Sequence, residues 1–298
     1  MWQQGDPWLL VAGGDNDPHL TRLIKAAGNR GWRVTAALTG QSGAPRLQWH
    51  LPEGRLLIDD IAIEPTAAFV REDVFHSDLG RDRDQAHKAS VWYETIRGWL
   101  AAHPNIRWLS RASFGMGGKP SKLKNLKLAI ESGFEIPHTI ISNDADVLND
   151  AARQGSWIHK PVMGGAHTQP FDGIESRSGV LAYPMKIQER LEPPEVRLFK
   201  VGAQHFAFNM VSDQLDYRTD SQTQIVETEV DPQLADSIDR LTAKLGLDFA
   251  AADLKSSASR QRLLFMEVNS NPMFAGFDQA SRFGLCNAML DWLGGTPK

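Results

Sequence analysis

The chain has 298 residues, 42% apolar and 23% charged, with a net charge of -4. Length and composition are those of a soluble globular protein of two or three lobes, and with no basic run a nucleic-acid surface is not expected. No apolar run is long enough to span a bilayer, and the single cysteine, Cys286, excludes an internal disulfide or a cysteine-cluster metal site and fits a reducing cytoplasm.

Trp8 to Ala12 reads as a first strand and, with no basic region before it, not as a signal peptide. Gly13 to Asp17 is a loop. Asp17 is a good N-cap and Pro18 suits the first helical position, which predicts a helix from about Pro18 to Asn29 closing at Gly31. A strand over Trp32–Leu38 follows, so the chain opens as a small α/β domain with a parallel sheet. Gly13-Gly14 lacks the spacing of a dinucleotide fingerprint, which rejects an NAD site. Further strands are expected at Leu56–Ile63 and Thr66–Val70. Arg71, Glu72 and Asp73 end the latter, where polar residues of such a sheet either face a ligand or are simply solvated. His76 to Asp84 is a charged loop; Arg71, Arg81, Arg83 and Lys88 around it form either a local basic surface or an ordinary solvated loop. A helix from about Gln85 to His103 puts Trp92, Ile96, Trp99 and Leu100 on one apolar stripe. Ile106–Leu109 is another strand, and this first domain is expected to cover residues 1–113.

Phe114 to Ser121 has the look of a phosphate loop, but Ser113 stands where glycine is required and Pro120 interrupts the Lys-Ser pair; it reads as a linker. Ser121 is expected to cap a helix over Lys122–Ser132, burying Leu123, Leu126 and Ile130 and stopping at Gly133. Asn143 is expected to cap a helix over Asp144–Gln154. Trp157–Val162 is a strand with Lys160 near its end, followed by a small-residue loop, Met163 to Thr168. Gly164 and Gly165 there leave backbone N–H groups able to close over an anion; a plain hairpin turn is the alternative.

Glu195 to Gly202 and Gln204–Val211 form a hairpin, and Asp231-Pro232 starts a helix to Leu245 that ends at Gly246. A second hairpin pairs Phe249–Lys255 with Leu263–Asn269. Strict alternation there puts Leu264, Met266 and Val268 on one face and Phe265, Glu267 and Asn269 on the other. If Asp253 lies opposite Glu267, two carboxylates and the Asn269 amide make an oxygen-rich site for a hard cation such as Mg2+, with positions open to phosphates and water. The alternative is a surface hairpin with a wet face. A last helix over about Gln279–Leu293 packs Phe283, Leu285, Cys286, Ala288, Met289 and Trp292.

Lys122, Lys160-Pro-x-x-Gly164-Gly165, Gln188-Glu189, Glu195-x-Arg197, Asp253 and Glu267-x-Asn269-x-x-Pro272 follow one another in an order that resembles the ATP-grasp ligases, over roughly residues 114–293. The resemblance implies the ATP-grasp fold, an α/β (α+β) architecture: the N-terminal pre-grasp domain, a central lobe over 114–186, and a C-terminal lobe with the metal site over 187–298. It implies that Lys122 and Lys160, with the Gly164-Gly165 lid, hold the ATP phosphates. Gln188, Glu189 and Leu191 form the hinge against adenine, and Glu195 or Glu192 meets the ribose. Asp253, Glu267 and Asn269 hold one or two Mg2+, with Mn2+ as a substitute ion. Arg197 and Arg218 contact the γ-phosphate and an acyl phosphate, because a planar guanidinium meets phosphate in a bidentate way. Within the superfamily the chain resembles the ribosomal-protein glutamate ligase branch. It resembles more closely the microviridin-type (graspetide) peptide ligases, through Asn125-Leu-Lys-x-Ala129, Gly133-Phe-x-Ile-Pro-x-Thr-x-Ile-Ser-Asn143 and Asp216-x-Arg218. The implied activity is an ADP-forming carboxylate–amine or carboxylate–hydroxyl ligase. Its substrate would be a small molecule or a peptide, such as a ribosomal precursor peptide; neither nucleic acid nor membrane is implied, and a homodimer is left open. A phosphotransferase on the same fold and a non-catalytic ATP-binding module are the competing readings. The N-terminal domain departs from the peptide ligases, which puts the substrate in question rather than the nucleotide chemistry.

Overall fold

The computed structural model describes residues 6–40, 43–72, 83–111, 121–162, 168–174, 179–211, 224–257 and 262–295. Strand β1 (Trp8–Gly14), helix α1 (Pro18–Asn29) and strand β2 (Arg33–Thr39) form the expected parallel unit. The Asp17 carboxylate caps α1 by accepting from the His19 amide at 2.8 Å. Leu9 and Val11 pack on the α1 side of the sheet and Leu10 and Ala12 on the other, so β1 is buried on both faces.

The run Leu56–Ile63 is not one strand. It folds back on itself as β4 (Arg55–Ile58) and β5 (Ile61–Ile63), which with β3 (Leu47–His50) make a three-stranded antiparallel sheet. Asp59 and Asp60 form the turn with φ of 50° and 64°, the left-handed region that aspartate tolerates and a tight hairpin needs. Strand β6 (Ala67–Val70) pairs with β1, helix α2 (Arg83–Ala102) crosses over, and β7 (Arg107–Trp108) pairs with β6, giving a parallel sheet of order β2-β1-β6-β7. Ile96, Trp99 and Leu100 of α2 are buried against it.

Helix α3 (Lys122–Glu131) is capped by Ser121 as expected, but its buried face is Asn125, Leu126 and Ala129, while Ile130 is 48% exposed. Residues 122, 125, 126 and 129 share one side of a helix. The stripe is thus turned to carry Lys122 at its N-terminal end. Strand β8 (Thr139–Asp144) leads into α4 (Ala145–Gln154), and Asp144 rather than Asn143 caps it, accepting from Asp146 N at 2.9 Å. Asn143 turns its amide toward the Leu181 carbonyl instead. Strands β9 (Trp157–Lys160), β10 (Gln169–Phe171) and β11 (Val180–Glu189) complete an antiparallel sheet of order β10-β9-β11-β8. Position 187 falls inside β11, and α3 packs with the sheet that follows rather than with this one.

That sheet is antiparallel, of order β14-β13-β12-β15-β16, built from β12 (Glu192–Val201), β13 (Gln204–Val211), β14 (Gln224–Thr228), β15 (Phe249–Ser257) and β16 (Arg262–Asn269). Helix α5 (Pro232–Leu245) runs between its Asp231 N-cap and Gly246, which is left-handed at φ 65°. The predicted last helix is two, α6 (Ala275–Ala280) and α7 (Gly284–Gly294), broken at Arg282 and Phe283 with φ of 52° and 72°. The buried Asp278 carboxylate causes the break: it accepts the Cys286 amide at 2.8 Å and pairs with Arg22 at 2.6 Å, turning the chain around itself. One core joins this lobe to the N-terminal domain. Leu9, Val11, Leu23 and Phe69 meet Phe199, Phe249, Phe274 and Met289 in it.

Candidate functional site

Val196 and Leu198 of β12, with Ala252 and Leu254 of β15, turn toward α5. The alternate residues face the other way. At one end Phe199, Val201 and Phe249 join the shared core; at the other end the face becomes polar. There Arg197 lies directly opposite Asp253, Asp253 opposite Glu267, and Glu195 opposite Lys255. The expected Asp253–Glu267 register is therefore present. The expected alternation of β16 is not. Met266 is an extra residue, since Leu254 pairs with Phe265 and Asp253 already pairs with Glu267. This bulge sends Phe265 to the α5 side, where it meets Phe134 at 5.0 Å, while Glu267 stays with Asp253. Under strict alternation both would have shared a face, and a phenylalanine would have sat among carboxylates.

The side chains tie together closely. Asn269 Nδ2 donates to Asp253 Oδ2 at 3.2 Å, leaving the amide oxygen as the atom able to meet a cation. Arg197 Nε lies 3.5 Å from Asp253 Oδ1, and its guanidinium rests 5.3 Å from the Phe277 ring centre. Lys255 Nζ is 3.2 Å from Glu195 Oε2. Lys122 Nζ donates to Glu267 Oε2 at 3.2 Å, so α3 delivers its first-turn lysine straight to the second hairpin.

The sheet of β8–β11 forms the facing wall. Lys160 stands at the end of β9; burial lowers its amine pKa first, and Glu267, Glu195 and Asp253 pull it back up while Lys255 opposes them. A lysine of one lobe thus feels the carboxylates of the other. Gln188 is buried and donates to Thr139 Oγ1 at 2.9 Å. Glu189 binds both ways: its carboxylate accepts from His138 N at 3.2 Å and from Ser257 Oγ at 3.1 Å, pinning the end of β11 to the end of β15. Leu191 is buried just beyond. Glu192 is exposed at the start of β12, and Pro193-Pro194, joined by a cis bond, shift the register before Glu195, which the Lys255 pair holds in the site. Gly164, Gly165 and Arg218 lie outside the described residues, as do the Phe114–Pro120 stretch and Arg81.

One expectation needs correction here, and one residue is new. Arg71 cannot belong to a basic surface, because it is 1% exposed and pairs with Asp17 at 2.7 Å. Lys186 went unremarked in the sequence, yet it is buried in this wall beside Lys160. The signal was available: Lys186 and Gln188 are two apart on one strand and share a face.

Among the described residues no cluster of three or more His, Cys, Asp or Glu is arranged to hold a metal. The donor set here is two carboxylates and an amide. That is short of a closed cage, and it is what Mg2+ takes when waters and substrate phosphates complete its shell. Asp253 and Glu267 directly opposite one another are like charges that repel, and a cation between them removes the repulsion. The residues present therefore fit the ion.

No protein-family model matches the chain, and no curated protein does. Solved structures do. The chain is similar to the ATP-grasp ligase PsnB complexed with minimal precursor, Mg and ADP, with TM-score 0.71 and 21% identity over 96% of this chain and 97% of that one. It is similar to a Chryseobacterium gregarium RiPP-associated ATP-grasp ligase in complex with ADP and a leader and core peptide, with TM-score 0.71 and 19% identity over 96% of each chain. The Microcystis aeruginosa macrocyclase MdnC bound with precursor peptide MdnA matches with TM-score 0.71 and 19% identity over 96% of this chain and 98% of that one. The chain has the ATP-grasp fold along nearly its whole length.

Proposed function

We propose that this protein is an ATP-dependent, ADP-forming ligase that joins a carboxylate to an amine or hydroxyl through an acyl phosphate, with a peptide as substrate. One observation carries the reading: Lys160 of the β8–β11 wall faces Asp253, Glu267 and Asn269 of the opposite lobe, and Lys122 of α3 reaches the same cleft, touching Glu267 at 3.2 Å. The peptide class is supported by the PsnB, Chryseobacterium and MdnC structures, which hold precursor, leader or core peptides.

ATP enters as a substrate. Gln188, Glu189 and Leu191 would line its adenine, Glu195 or Glu192 its ribose, and Lys122, Lys160 and the Gly164-Gly165 loop its phosphates. Asp253, Glu267 and Asn269 would hold one or two Mg2+, or Mn2+ in its place; the ion's contribution is to neutralise phosphate charge in the transition state. The substrate carboxylate attacks the γ-phosphate and ADP departs; the amine or hydroxyl then displaces phosphate and loses its proton. Arg197 is fixed by Asp253 and Phe277 before substrate arrives, so its guanidinium meets developing negative charge without reorganising. Arg218 would be its counterpart. No protein nucleophile is needed. Cys286 is fully buried and its thiol is pushed well above the usual range by burial and by Asp278. The reducing cytoplasm is the compartment this lone thiol fits.

The test is product mass. With ATP, Mg2+ and an Asp/Glu- and Ser/Thr/Lys-rich peptide encoded beside the gene, each crosslink should remove the mass of one water and release one ADP. Glu267→Gln should lower turnover by ~100-fold or more while melting as wild type does. A peptide that gains a phosphoryl group would make the protein a kinase, and gain of a free amino acid would make it an intermolecular ligase. ATP binding without ADP release would reduce it to a binding module.

A further inference from the structure

Lys186 is 5% exposed and lies directly opposite Lys160 on β9 and Ile141 on β8. Residues directly opposite across antiparallel strands project from the same face with Cβ atoms about 5 Å apart. Two lysines therefore stand side by side in the wall of the cleft, and Gln188, one pleat along β11, shares their face. Among the described residues the Lys186 side chain makes no hydrogen bond or ion pair. Burial, together with Lys160 and Lys122, draws its amine down to about 8, and Glu267 alone pulls it upward. Lys160 is lowered as well, chiefly by burial.

Such a pair works against folding. Like charges directly opposite are destabilising, and burial costs each amine part of its hydration. Ile187 on the same strand shows that the neighbouring core is met by an apolar side chain, and Ile141 shows that the cleft face accepts one too. An anion seated between the two amines removes both costs at once. With the base at the hinge end of β11, the pair lies one pleat, roughly 7 Å, farther into the cleft.

We propose that Lys186 is a phosphate-binding residue: with Lys160 it forms a paired-amine seat for the first phosphates of the nucleotide, and this seat selects nucleotides with a diphosphate or longer tail. The inference rests on the ATP reading above.

Titration calorimetry with metal-free ADP and with adenosine tests it, because neither ligand needs the Asp253–Glu267–Asn269 site. Lys186→Met should weaken ADP binding about 10- to 100-fold, the scale of a lost charge-assisted hydrogen bond, and leave adenosine binding unchanged. Lys186→Arg should stay within a few-fold of wild type. The ligand-free Lys186→Met protein should melt at or above the wild-type temperature. The assignment is overturned if Lys186→Met binds ADP as wild type does, if it loses ADP and adenosine alike, or if it fails to fold, since a charge placed for phosphate is not needed for folding. Wild-type protein that binds neither ADP nor ATP overturns the nucleotide reading itself, and this inference with it.

Discussion

His19 Nδ1 accepts two backbone amides, from Phe274 at 2.9 Å and Ala275 at 2.7 Å, which requires a neutral imidazole unprotonated at that nitrogen. Burial, then the Arg71 and Arg197 charges, lower its pKa to about 3. The sign of the consequence is fixed. Between about pH 6.5 and 3 the unfolded histidine binds a proton that the folded one refuses, so stability falls as pH falls through that window, by up to ~1.4 kcal/mol per pH unit. Denaturant midpoints at pH 7 and pH 4 should show the loss, and His19→Asn should flatten it. An unchanged pH slope in that variant would show that His19 is not the group responsible. At this same scale the sequence was informative about oxygen donors and silent about their partners. Asp253, Glu267 and Asn269 could be placed by strand period and pairing, whereas the Lys122–Glu267 contact joins residues 145 positions apart, a distance no local pattern reports.

Elements were legible wherever their ends carried backbone chemistry. Helix α5 begins and ends at the Asp231-Pro232 and Gly246 signals, because a carboxylate accepts from Gln233 N at 2.8 Å and a glycine takes the left-handed C-terminal turn. Gly246→Ala should then cost about 1 kcal/mol, the penalty for a Cβ at positive φ, read as a shifted urea midpoint at constant slope. A variant as stable as wild type would mean the turn relaxes to another conformation. Elements were illegible where a side chain far along the chain redirected them. Asp278 splits α6 from α7 by capturing Cys286 N and Arg22, and neither contact follows from an apolar stripe. The Met266 bulge is similar. Period-two reading predicts a regular strand, and only the competing demands of Phe265 for the core and Glu267 for the cleft require one extra residue between them.

In the whole molecule the N-terminal domain and the C-terminal lobe are one body. Arg71, at the end of β6, donates to Asn271 Oδ1 at 2.7 Å and to the Pro272 carbonyl at 2.9 Å, just past Asn269, while its Nε meets Asp17. Burial lowers the arginine and raises the aspartate pKa, so desolvation offsets much of what the pair gains; removing one member still strands the other. Arg71→Met should cost about 3–5 kcal/mol in denaturant unfolding, and a loss under 1 kcal/mol would refute the node. The central sheet stands apart from this body. Its buried cluster is Leu148, Ala151, Trp157, Phe171 and Ile187, and it shares none of these with the large joint core. A small private core opens at lower free energy than a large shared one. Amide protons of Ile158 and Ile187 should therefore exchange with deuterated solvent faster than those of Leu198 and Ala252, and nucleotide should slow the first pair far more than the second. If that exchange pattern holds, the wall that carries Lys160 and Lys186 would be the part whose order the ligand itself completes, and each turnover would begin with a local act of folding.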